Sequence, residues 1–192
     1  MKRSTLIAAA IAAHLIPMAA WAVVKPLRVI APDLMGLTCT SDRICMDDLS
    51  RIAEARKLLV DAESFVAADL GALRKRSTAV FCTTTECASK FGLGRSVAFS
   101  VGTIGIIISE KAWQPHFVRH ELIHQKQSEE LGVISAWLFK PSWLIEGMAY
   151  SRSQDPRHPL PEPLESWRAR YEQWEKTIPP SKSLWSAVEH AQ

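Results

Sequence analysis

The chain has 192 residues, enough for one compact domain with a substantial core and too few for two large ones. Hydrophobic residues make up 47% and charged residues 22%, an ordinary globular balance that argues against a disordered or fibrous protein. The formal net charge is +3, and setting aside Lys2 and Arg3 leaves 21 basic against 20 acidic residues, so no basic footprint for nucleic acid is present.

The first 22 residues read as an export signal. Lys2 and Arg3 supply the positive start, an apolar run extends from Leu6 to Ala20, and Ala20-Trp21-Ala22 has the small-x-small form of a cleavage site. The run is short for a membrane span, and His14 and Pro17 interrupt it, so no stable span is expected once the signal is removed. Retention as an N-terminal anchor is the alternative. No cysteine follows the run and no twin arginine precedes it, which favours the general secretory route to the periplasm or the exterior. Four cysteines remain, and an even count in an exported chain predicts two disulfides, with spacing that favours Cys39–Cys45 and Cys82–Cys87. A cysteine zinc site is the competing reading, weakened by the lack of any Cys-x-x-Cys pair.

Residues 23–38, with Pro26 and Pro32, are expected to be extended and loop-like. Asp47 or Asp48 can cap a helix running to about Leu73, with Leu49, Ile52, Ala53, Leu59, Ala62, Val66 and Leu70 on its apolar face. A strand over Ala79–Cys82 and a polar turn or short helix over Thr84–Lys90 follow. Val97–Val101 and Ile104–Ser109 are the strongest strand signals, broken into a hairpin or bulged strand by Gly102 and Gly105. Trp113–Leu131 reads as a helix ending near Gly132, and Ile134–Phe139 as a further helical turn stopped by Lys140-Pro141. Ser142 is a suitable N-cap for a helix carrying Glu146. The stretch from Asp155 to Pro163 holds four prolines and is irregular, Leu164–Lys176 is the last helix, and residues 181–192 are expected to be a loose tail. The fold class is therefore α+β, a small mixed sheet on a helical bundle, in one domain over residues 23–180.

His120-Glu121-Leu122-Ile123-His124 lies in the middle of the Trp113–Leu131 helix. Residues four apart share a helix face, so both imidazoles can bind one zinc ion, and Glu121 sits where it can take a proton from water without being a ligand. A catalytic zinc site takes three protein ligands and leaves a position open. Glu146 lies 22 residues after His124, within Glu146-Gly147-Met148-Ala149.

That stretch resembles the gluzincin branch of the zinc metallopeptidases, in which a second helix carries the third ligand, often in a Glu-Gly-x-Ala stretch. The resemblance spans about Ile104 to Tyr150 and covers the order strand, His-Glu-x-x-His helix, glutamate helix. It implies a zincin-like fold, zinc held by His120, His124 and Glu146, Glu121 as general base, and a peptide or protein as substrate. It also implies an extended substrate held against the sheet, for which Ile104–Ser109 is the expected strand. Metzincins are excluded, since their pattern needs glycine and histidine where Gln127 and Glu130 stand. Tyr150, one turn beyond Glu146, is a candidate catalytic residue as oxyanion donor, His158 and Tyr171 are others, and the sequence does not choose among them. Glu129, Glu130, Asp155 and Glu162 are rival carboxylates, and His116 continues the four-residue spacing but lies about 6 Å along the axis from His120. Trp137 and Trp143 are expected in the core or along the cleft. A zinc-containing envelope binding or assembly protein without activity, and a disulfide-stapled interaction domain without metal, are the alternatives to a metalloendopeptidase.

Overall fold

Ile106, Ile107 and Ile108 are all fully buried, although consecutive strand residues point to opposite faces, so the sheet that holds them must be covered on both sides. The computed structural model describes residues 24–191, and the expected signal segment lies outside them. Strands β1 (Thr38–Cys39), β2 (Ile44–Met46), β3 (Thr78–Phe81), β4 (Ala98–Val101) and β5 (Gly105–Ile108) form one mixed sheet in the order β1-β2-β3-β5-β4. The inner strands β2, β3 and β5 run parallel, and β1 and β4 close the two edges antiparallel. With the helices that follow, this is the mixed α/β architecture expected from the pattern of elements.

The helices are α1 (Ile52–Leu70), α2 (Thr85–Lys90), α3 (Pro115–Leu131), α4 (Ser142–Arg152), α5 (Leu164–Glu175) and α6 (Leu184–His190). A π-helical turn, Ser135–Phe139, joins α3 to α4, and two 3-10 turns, Lys25–Ile30 and Pro32–Met35, occupy the segment expected to be extended. On one face of the sheet, Phe81, Ile106 and Ile108 share a core with Leu59 of α1, Leu122 of α3 and Met148 of α4. On the other, Val80 and Ile107 pack with Val29, Phe91 and disulfide cysteines. The disulfides Cys39–Cys45 and Cys82–Cys87 are those the spacing favours, and they fit an oxidising compartment. Among the described residues no helix is long and apolar enough to cross a membrane.

Four boundaries differ from expectation. The Asp48 carboxylate accepts from the Ser50 amide (2.8 Å) and caps the short 3-10 turn that leads into α1, while Asp47 reaches across to the Thr83 amide (2.8 Å). Helix α1 stops at Leu70, where Gly71 takes a positive φ and the buried Lys126 ammonium donates to Ala72 O (3.0 Å). Its buried face uses Ala55 in place of Ala53. Ser142 is already inside α4, and Pro141, with extended backbone, takes the cap position. The tail expected to be loose instead forms α6, with Val188 in the main core and the Trp185 indole donating to Leu70 O (3.1 Å).

Gly147 sets the distance between α4 and α5. A Cβ there would stand 2.3 Å from Trp167 O and 2.9 Å from the Tyr171 Cβ, so only glycine allows the two helices to pack as they do. Its small size therefore serves the α4–α5 contact, not the approach of α4 to the histidine helix. Gly147→Ala should lower unfolding free energy by about 1–3 kcal/mol through overpacking. Chemical denaturation measures it, and an unchanged midpoint would mean that α5 can move away without cost.

Candidate metal centre and cleft

Helix α3 starts with Pro115 at its first turn, where the missing N–H costs nothing, and then enters the core. Every residue from His120 to Ser128 is buried. Burial of so many polar groups demands partners. Gln125 donates to Lys75 O (3.0 Å) and accepts from the Ser77 hydroxyl (2.6 Å), and Ser128 donates to His124 O (2.9 Å). Lys126 pairs with Glu130 (2.8 Å). Glu121 is the exception. No hydrogen bond ties it to another described residue, and it borders the cleft.

His120, His124 and Glu146 come together as a group that can hold a metal ion. The two Nε2 atoms are 3.0 Å apart, and each lies 3.5 Å from a different oxygen of Glu146. Tetrahedral ligands roughly 2 Å from one shared ion stand about 3.3 Å apart, so this triangle has the dimensions of a three-ligand site. Gln127 orients it from behind. Its side-chain oxygen accepts from His124 Nδ1–H (2.8 Å), which leaves Nε2 as the ring atom facing the cluster, and its amide donates to Ile145 O (2.9 Å), next to Glu146. Arg152 holds the end of α4 by pairing with Asp69 of α1 (2.6 Å) and with Glu175 of α5.

The electrostatics follow from burial and from this proximity. Burial opposes charge on His124, but the hydrogen bond and charge of Glu146 outweigh it and push its pKa up to about 9. Burial, the largest influence on His120, pulls its pKa down. Burial would raise Glu146, yet hydrogen bonds from both histidines hold it well below the usual carboxylate range. Glu121 is pushed up to about 7 by burial, with His124 acting against that and Glu146 adding to it.

A cleft of about 440 Å³ opens over this cluster, between α3, α4 and the sheet edge. Its wall from Arg95 to Ser100 is β4 and the segment leading into it, not the expected Ile104–Ser109 strand, because β5 is already paired on both sides by β3 and β4. The Ser109 amide donates to Val97 O (2.9 Å), and antiparallel alternation then turns the N–H and C=O groups of Ala98 and Ser100 toward the outer edge, where Ala98 is partly exposed and Ser100 is buried.

Tyr150 lines the cleft with its ring 4.5 Å from that of His120, and burial, aided by Glu146, pushes its pKa up to about 12. The other two oxyanion candidates are elsewhere. Tyr171 is fully buried and donates to Glu175 (2.6 Å), and the exposed His158 accepts from Arg168 (2.6 Å). Among the rival carboxylates, Glu129 accepts from the Arg74 amide (2.9 Å), Glu130 pairs with Lys126 and Arg74, and Glu162 accepts from the Ser166 hydroxyl (2.7 Å). Asp155 is buried and bound to Arg157, which reaches the cleft with its guanidinium 4.7 Å over Phe117. His116 is buried with Nε2 unpartnered and stands outside the three-ligand group. Trp137 borders the cleft, whereas Trp143 packs on Trp174.

Gln127 and Arg157 are the site residues that sequence reasoning missed. Gln127 lies one turn past His124 on the same helix, a spacing that could have singled it out. Arg157 carried no signal, being placed by an irregular loop. No family model matches the chain, and neither a curated protein nor a solved structure does.

Metal uptake by chelator-stripped protein at pH 7 should release about one proton per ion, since His124 is raised and must give up its proton to bind. Apparent affinity should therefore fall as the pH drops below about 9. Calorimetry in buffers of different ionisation enthalpy reads the release, and Gln127→Ala should weaken the metal about 10–100-fold.

Proposed function

We propose that this chain is a zinc-dependent peptidase of the gluzincin kind, exported to an oxidising compartment. The observation that carries the reading is the buried Glu121, free of protein hydrogen bonds, beside a three-ligand cluster at the wall of an open cleft. A purely structural site has no use for such a group. Two imidazoles and one carboxylate form the nitrogen and oxygen donor set of a catalytic zinc site, with room for a fourth position. Bound zinc supplies Lewis acidity that polarises a carbonyl oxygen and acidifies water.

Glu121 takes the proton of the attacking water as the new C–O bond forms, then delivers it to the nitrogen as the C–N bond breaks. The products are a carboxylate and an amine. A pKa raised to about 7 suits a group that must both accept and release a proton near neutrality. Tyr150 is held as the donor to the developing oxyanion, and Arg157 adds positive charge on the same side of the cleft. The outer edge of β4 offers the backbone groups of the partly exposed Ala98 to an extended peptide, which lies against the sheet there.

Elemental analysis and peptide hydrolysis on the same preparations test this. The wild type and Glu121→Gln should each carry about one zinc per chain, while Glu121→Gln loses about 10²–10⁴ in kcat. His120→Ala and Glu146→Ala should lose both metal and activity, and Tyr150→Phe should keep the metal with kcat reduced about 10²-fold or more. Full activity in Glu121→Gln, or a wild type that takes up no zinc, would overturn the reading.

A further inference from the structure

Strand β4 borders more than the cleft. Beyond Ser100 the same strand and its hairpin turn form one side of a second groove of about 360 Å³, faced by Leu27, Ile104, Val133 and Trp137. Phe99, Ser100 and Trp137 belong to both spaces, so cleft and groove meet along a single strand edge. Trp137 stands at the junction, its ring 5.7 Å from Phe99 and 6.5 Å from His124. The Ser100 hydroxyl, also at the junction, is buried without a hydrogen-bond partner. Leu138 and Phe139, which follow Trp137 in the same π-helical turn, are 73% and 75% exposed.

From this continuity we infer that the substrate is an extended polypeptide whose large apolar side chains enter this groove on the flank that passes Trp137. The inference rests on the peptidase reading and adds a substrate class to it. A chain laid along the partly exposed Ala98, Phe99 and Val101 is led along β4 from the His120–His124–Glu146 cluster toward Ile104. Side chains alternate along such a strand, so every second residue on that flank faces the apolar wall. The wall has few polar groups, so a peptide with Ser, Thr or Gln there loses water without regaining hydrogen bonds, which turns the groove into a selector.

The test uses two labelled extended peptides of equal length and charge, one with Leu, Val and Phe on both flanks of a central Ala-Ala and one with Ser, Thr and Gln. Their binding to the zinc-loaded Glu121→Gln chain is followed by fluorescence anisotropy. The apolar peptide should bind about tenfold tighter or more, the scale expected from burying one large side chain. In an Ile104→Ser, Val133→Ser double variant of the same chain the preference should shrink to about twofold or less. Both side chains are partly exposed, so the variant should fold, and its zinc content reports this independently. Equal binding of the two peptides, or a preference the double variant retains, would overturn the assignment. So would equal binding accompanied by self-association that the double variant abolishes, which gives the patch to a second copy of the chain. If the zinc-loaded wild type binds the apolar peptide preferentially and leaves it uncut, the groove stands and the peptidase reading fails.

Discussion

The molecule is organised around the burial of one polar helix. Helix α3 runs between the sheet, α1 and α4 with nine consecutive residues out of water, and seven of them are polar or charged. An unpaired polar group in such a place costs on the order of 1–3 kcal/mol. The surroundings are arranged to supply partners, and Lys75 O, the Ser77 hydroxyl, Ala72 O and Ile145 O serve Gln125, Lys126 and Gln127. Three of these partners lie in the connection between α1 and β3, so α3 also determines where that irregular loop can run.

Against that background the groups turned to the cleft are informative. The Nε2 atoms of His120 and His124 meet only each other and Glu146 among the described residues, and the carboxylate of Glu121 beside them makes no hydrogen bond to a described residue. Two imidazole nitrogens at 3.0 Å need a proton or a cation between them, and Glu146 brings the negative charge that makes either acceptable. The third ligand reaches this place because α4 is fixed at three points. Gln127 holds its middle, Arg152 holds its end to α1 and α5, and Gly147 lets α5 press against its outer side. Function and stability thus draw on the same contacts, and loosening α5 would be felt at a ligand it never touches.

The sheet contributes through its edge. With β5 enclosed, β4 is the only strand on that side able to pair with anything further, and it passes directly from the metal cluster to an apolar groove. The 3-10 turns at the start of the described chain and the π-helical turn after α3 form the groove's walls through Leu27 and Trp137. These short irregular elements were the parts that periodicity described least well, and they shape the surface a substrate would meet.

Local rules account for what was readable beforehand. The i,i+4 spacing of His120 and His124 on a helix, the hairpin around Gly102, the two short disulfide loops and the buried stripe of α1 all depend on neighbours within a few residues. Even α6 was within reach, since Leu184, Ala187, Val188 and Ala191 keep a helical period. What tertiary structure alone decided is relational. Whether β4 or β5 has the free edge follows from which strand β3 pairs with. That Gly147 serves α5, that Tyr150 and not Tyr171 faces the cleft, and that Arg157 enters it at all depend on how α4, α5 and the proline-rich loop pack in space. Sequence alone determined which groups could do chemistry, because their types and helical spacing are local. The fold decided which of them meet, because that depends on contacts between residues tens of positions apart.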